Sequence, residues 1–355
     1  MEFFIHPDCI HYRGDIPCKP HKEKGVHCKD CPEYRKVTHR ILIIKLGALG
    51  DVIRTTPLLE AYRKQYSDCK ITWLTLSPDI LPKGKVDEIL FFDHKAALYL
   101  LNTRFDIAVN LDKEKEAGAL LKSIEAGQKF GYVLQDGVIQ PVNPLAFHKF
   151  MTGMFDDVSK ENRLSYVDEI FAICGLPYRG EKYVFDNHGD KGYTWKIKTK
   201  GPLVGLNTGC GDRWTSRLWP NEKWIELIGL LVKNGYTPLL LGGKQEDENN
   251  RLLASKTGAQ YLGHFPLQQF INLVDQCDYV VSQVTMGMHI AIALGKKLVL
   301  MNNIFNPYEF NLFDKGKIVS PDKPCDCFYR GTCVHGKSCM HDLPAEKVLG
   351  ALKQL

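Results

Sequence analysis

The chain has 355 residues, too many for one ordinary core and enough for two domains of roughly 150 residues each. Hydrophobic residues make up 44% and charged residues 25%, both globular values, and no apolar run approaches the roughly 20 residues of a membrane span. Lys plus Arg (46) against Asp plus Glu (41) leaves +5, compatible with phosphates or an anionic membrane surface but too small and dispersed for nucleic acid.

With neither a basic flank nor a long apolar stretch at the N-terminus, the expectation is a cytoplasmic protein, working at most at the inner face of the membrane. Residues 1–39 are polar, rich in Cys, His, Lys and Pro, and read as a loop-rich appendage in need of a staple. RILIIKL (40–46) then reads as a strand buried on both faces. The turn GALGD follows, and VIRTTPLLEAYRKQY reads as one helix with Pro57 in its first two turns. Strands are expected at 70–76, 88–93 and 106–112, spaced for helical crossovers and so for a parallel sheet. Residues 134–165 read as irregular.

A polar, Gly- and Lys-rich stretch over 187–201 suggests a linker near 195, after which a second series begins. Strands are expected at 203–209, 237–243, 277–283 and 297–303, with helices over 221–235, 246–258 and 288–295. The fold class is therefore α/β with two Rossmann-like halves. The expected division is 1–39, a Cys-rich appendage; 40–195 and 196–320, the two halves; and 321–355, a Cys-rich finger and C-terminal helix.

Four strand-to-helix turns carry the candidate chemistry. In the first, Gly47 and Gly50 let the backbone approach a ligand, and Asp51 suits a helix N-cap. The second runs from Asn207 to Pro220, where Thr208 and Arg217 suit a diphosphate and a solvated loop is the plain alternative. In the third, Gly242 to Glu246, the carboxylate suits either ribose hydroxyls or the charge of a helix N-terminus. The fourth contains Thr285, Gly287 and His289, the last readable as a structural histidine. No GxGxxG turn or Walker A loop is present.

The segments ILIIKLGALGDVIRTTPLLEAYRKQY, RWTSRLWPNEKW, GGKQEDENNRL and TMGMHIAIALG, in that order, resemble the family 9 glycosyltransferases, the bacterial heptosyltransferases. The resemblance covers about residues 40 to 310 and implies a GT-B fold of two facing Rossmann-like domains. It implies inverting transfer from ADP-heptose without a catalytic metal. Asp51 would be the catalytic base, Gly47 and Gly50 would belong with the donor-binding residues, and Thr208 and Arg217 would be the diphosphate contacts. Glu246 would hold the ribose, Phe265 would lie beside the adenine, and Thr285, Gly287 and His289 would form the phosphate-binding helix start. Val284 departs from the family, which usually has Asp there against the donor sugar. MNNIFNPYEFNLF before a cysteine cluster resembles the branch that modifies autotransporter serines and carries an iron-binding finger. Acceptors on this reading are a lipopolysaccharide-type glycan or a protein; peripheral membrane contact and a homo-oligomer stay open.

The twelve cysteines sort by position. Cys69, Cys174, Cys210 and Cys277 stand alone and read as small buried hydrophobes. Cys325, Cys327, Cys333 and Cys339 have the spacing of a compact four-sulfur site for zinc or iron. Cys9, Cys18, Cys28 and Cys31 end in CxxC and suggest a second structural metal, separate or shared with the first. The rivals are an NAD-dependent oxidoreductase and a metal-stapled Rossmann-type binding protein without transferase activity.

Overall fold

The computed structural model describes residues 4–187 and 193–355 and divides into two compact units. The first comprises Met1–Gly47, Pro57–His148 and Ile170–Glu181; the second comprises Ala48–Thr56, Lys149–Glu169 and Lys182–Leu355. The main change of unit thus falls at Glu181, ahead of the position near 195 that composition suggested, and two short stretches depart from the simple division.

In the first unit, β1 (Arg40–Ile44), β2 (Lys70–Thr75), β3 (Glu88–Phe91), β4 (Phe105–Asn110), β5 (Ala126–Gln135) and β6 (Val138–Pro141) form one sheet in the order β3-β2-β1-β4-β5-β6. All neighbours are parallel except β6, which returns antiparallel on β5. Ile41 pairs with Ile71 on one side and Ile107 on the other, and Ile41 to Ile44 are all fully buried, as an apolar run covered on both faces requires. Gly131 shows how tightly β5 approaches β4: at φ 92°, a Cβ there would lie 1.7 Å from the Asn110 carbonyl oxygen.

Two readings need correction here. Residues 134–165 are not irregular; they hold the end of β5, β6, and helices Phe147–Met154 and Asp156–Glu161. β5 and β6 are partly exposed, β5 is broken by glycines and β6 by Gln140 and Pro141, so they present no continuous apolar run. The expected single helix after β1 is two, Leu49–Thr55 and Pro57–Gln65, with Pro57 opening the second, where its missing N–H costs nothing. The Thr55 and Thr56 hydroxyls close the first helix by donating to the carbonyls of Asp51 and Ile53.

The second unit holds β7 (Leu203–Asn207), β8 (Thr237–Leu241), β9 (Gln260–Tyr261), β10 (Tyr279–Gln283), β11 (Lys297–Met301) and β12 (Gly316–Val319) in the order β12-β11-β10-β7-β8-β9, all parallel. Trp224, Leu227, Ile228 and Leu231 of helix Asn221–Lys233 share a core with Val348 and Leu352 of the C-terminal helix Ala345–Lys353. Trp219 meets Trp224 edge to face at 4.9 Å. The four isolated cysteines are buried, as expected. Among the described residues no helix is long and apolar enough to cross a membrane.

Candidate active site

The site lies within the second unit and is built from the carboxyl end of β7 outward. Asn207, the last residue of β7, donates its side-chain amide to the hydroxyls of Ser282 and Thr285, each at 3.0 Å. Thr285 caps helix Met286–Ala293 by accepting from the Gly287 N–H at 3.1 Å. Gly287 is the close-packed partner of Asn207, where a Cβ would stand 3.1 Å from the amide.

Asn207, Thr285 and Gly287 wall a cleft of about 420 Å³ that Arg217, Glu246 and Phe265 also line. Glu246 folds back to accept the Gly243 N–H at 2.8 Å, capping its own turn ahead of helix Asp247–Thr257. Its carboxylate presses on Gly209, where a Cβ would come within 2.0 Å of Oε1, so any side chain at 209 displaces it. Phe265 is braced edge to face by Trp195 at 4.8 Å, and Trp195 donates its indole N–H to Asn272 at 2.5 Å.

Arg217 is the cleft's buried cation. One of its terminal nitrogens donates to the Cys210 carbonyl at 2.8 Å, while Nε has no partner among the described residues. Burial pulls its pKa below the ordinary guanidinium value, with Cys210 opposing, so an anion in the cleft would relieve a standing desolvation cost. The Arg213 side chain lies outside the described residues.

Asp51 is not an N-cap; Ala48 holds that position with φ 28°, a strained value for a residue with a Cβ, and Asp51 stands in the first turn of Leu49–Thr55. Leu49 of the same turn reaches the cleft wall. The Asp51 carboxylate pairs with Arg54 at 2.8 Å, and the Arg54 guanidinium lies 3.5 Å above the Tyr166 ring. Burial disfavours the Arg54 charge, but Asp51 first, then Tyr166 and Glu309, hold its pKa above the ordinary value. His289 packs against Gly50, where a Cβ would lie 2.5 Å from Cδ2. Burial first, then Arg54, pushes the His289 pKa down to about 3 against the pull of Asp51, so the ring is neutral. Its Nδ1 has no partner among the described residues.

Arg217, Glu246, Phe265, Thr285 and Gly287 therefore share one cleft, with Gly50, Asp51 and His289 gathered around the helix that also supplies Leu49. Two expected residues stand elsewhere. The Thr208 hydroxyl is buried and donates to Asn250 at 2.6 Å, off the cleft wall. Gly47 belongs to the first unit, with its N–H 3.3 Å from Asp112, whose carboxylate also holds Lys45. Arg54 and Tyr166 were not foreseen. Arg54 carries a usable signal, a cation one helical turn from Asp51, whereas nothing local marks Tyr166.

The C-terminal finger braces this site. The Ser216 N–H donates to the Gly331 carbonyl at 3.0 Å and its hydroxyl to the Arg330 carbonyl at 2.7 Å, one residue from Arg217. Ser338 returns a bond to the Ser216 carbonyl, and Asn303 reaches both that carbonyl and the Cys339 sulfur. Cys327 and Cys333 sulfurs are 3.6 Å apart. Among the described residues, however, no set of three or more His, Cys, Asp or Glu side chains is arranged to hold a metal ion.

Residues 94–311 match the family described as Glycosyltransferase family 9 (heptosyltransferase). Lipopolysaccharide heptosyltransferase 2 of Escherichia coli (strain K12) is 27% identical over 131 residues, 34% of this chain and 37% of that relative. The chain thus spans about a third of the length of the curated relatives it matches. The structure of E. coli ADP-heptose lps heptosyltransferase II has the same fold at TM-score 0.64 and 18% identity, over 89% of this chain and 98% of that one. The iron-containing dodecameric glycosyltransferase TibC from enterotoxigenic E. coli H10407 follows at TM-score 0.56 and 16% identity, over 90% and 76%.

Proposed function

The chain belongs to glycosyltransferase family 9, and from that premise we propose that it moves heptose or a related sugar from an ADP-sugar to a hydroxyl of a lipopolysaccharide-type glycan or a protein serine. The observation that carries the reading is the juxtaposition, in one unit, of an anchored carboxylate and a cleft whose buried cation lacks a partner at Nε. Asp51 takes the acceptor hydroxyl proton as the oxygen bonds to the anomeric carbon; the bond from that carbon to the diphosphate breaks, and ADP leaves with the electron pair. Attack from the face opposite the diphosphate inverts the anomeric centre.

Arg54 keeps Asp51 oriented, Arg217 and the Thr285–Gly287 helix start face the diphosphate, and Phe265 offers a ring to the base. Glu246 already uses one oxygen on Gly243, leaving Oε1 for a ribose hydroxyl. Val284 offers the donor sugar no carboxylate, which favours a sugar recognised through fewer acceptors than the family's usual one. A structural zinc or iron in the finger is supported by its cysteine spacing and by the approach of Cys327 to Cys333; it enters no step of the transfer.

The test is titration calorimetry with ADP, UDP and NAD, followed by a nucleotide-sugar turnover screen. ADP is expected to bind, and Arg217→Ala to weaken it about tenfold or more, the worth of one charge-assisted contact. Binding of NAD without ADP would overturn the reading.

A further inference from the structure

The first 36 described residues, 4–39, have almost no interior: Pro20 is their single buried residue. They nonetheless hold a defined path. Ile10 N–H donates to Arg35 and Val37 N–H to Asp8, tying the two ends of the segment together around an isolated bridge between Cys9 and Lys36. Cys28 to Cys31 closes a tight turn through Cys31 N–H to the Cys28 carbonyl, and Cys18 sits immediately before helix Lys19–Lys24. A segment this short cannot bury enough apolar surface to fix itself without a crosslink.

All four cysteines line one small pocket, partly open to solvent, together with His6 and His11. None is in a disulfide. His6 is otherwise engaged, stacked on Tyr34 at 4.1 Å and facing Asp8 at 3.7 Å, and His21 is turned to the Val26 carbonyl at 2.9 Å. The fold thus gathers four cysteines around one pocket, although among the described residues no three such side chains are arranged to hold a metal ion.

We propose that Cys9, Cys18, Cys28 and Cys31 bind one zinc- or iron-class divalent cation as a four-thiolate structural site, standing in for the core that residues 4–39 lack. On binding, the thiols give up their protons to solvent and each sulfur donates an electron pair to the cation; no oxidant or reductant is needed. The proposal does not depend on the transferase reading or on a metal in the finger.

The experiment uses the full chain carrying Cys325→Ser/Cys333→Ser, which removes the finger's claim on metal. Elemental analysis is expected to find one equivalent of cation, absent when Cys28→Ser/Cys31→Ser are added. Cobalt supplied to the metal-free protein is expected to give the absorption of a tetrahedral thiolate site. Should the fourfold variant fail to fold, releasing the cation from the twofold variant with a thiol-binding mercurial is expected to open residues 4–39 to protease. A metal-free twofold variant, disulfides among these four residues by thiol titration, or unchanged protease resistance after release would each overturn the proposal.

Discussion

The Asp51 cluster and the Arg217 cleft lie in one unit but are finished to different degrees. Around Asp51 the charges are already matched: carboxylate to Arg54, guanidinium to the Tyr166 face, a neutral His289 against Gly50. In the cleft, Arg217 keeps Nε unbonded among the described residues and a desolvated charge offset by Cys210 and by the Phe305 ring 5.4 Å away. The difference separates two tasks. On the proposed reading, a group that must hold a set direction through a proton transfer is preorganised by its neighbours, while a group that must gain on binding is left wanting a partner.

Three experiments break or sharpen this contrast. The largest effect is expected from Asp51→Asn, which keeps shape and removes the base: turnover should fall by about 10³ while ADP affinity by calorimetry stays within about twofold. Retained turnover would remove Asp51 from the chemistry. Arg54→Ala comes next, with turnover down about 10 to 100-fold at unchanged ADP affinity and partial recovery in Arg54→Lys, which restores charge without the planar fork. Equal losses in turnover and nucleotide affinity would instead make Arg54 part of the cleft. The smallest is a stability effect at His289. Its folded pKa of about 3 lies below the ordinary 6.5, so the unfolded chain takes up the proton first. The contribution is full above pH 6.5 and is lost as pH falls towards 3, by at most about 1.4 kcal/mol per unit. Thermal melting across that range should be flatter in His289→Gln, and an identical slope would show that the ring titrates freely.

The central strands were legible because β1, β7, β8, β10 and β11 are apolar runs too short for helices and bounded by turn residues. β5, β6 and β12 were missed for the converse reason, since half-exposed strands carry polar residues and glycine. The helix break was written in Thr56-Pro57, because a proline disfavours helical conformation in the residue before it. In the site, Arg217, Glu246, Thr285 and Gly287 follow strands and were readable as turn residues, whereas Phe265 was reached only through the family resemblance. Thr208 was misplaced because residue type at a turn does not reveal which way a hydroxyl points, and here Asn250 captures it. Tyr166 contacts a residue far away in the chain, a pairing that no window of local sequence contains.

The second unit is assembled from three separate stretches, Ala48–Thr56, Lys149–Glu169 and Lys182–Leu355, and this sets how the protein can be dissected. A fragment starting at Lys182 would carry Arg217, Glu246, Phe265 and Thr285, which line the cleft, yet leave behind Asp51, Arg54 and Tyr166. No single cut yields the whole unit. The two residue groups are separable by scissors on the chain, although they are neighbours in the folded unit.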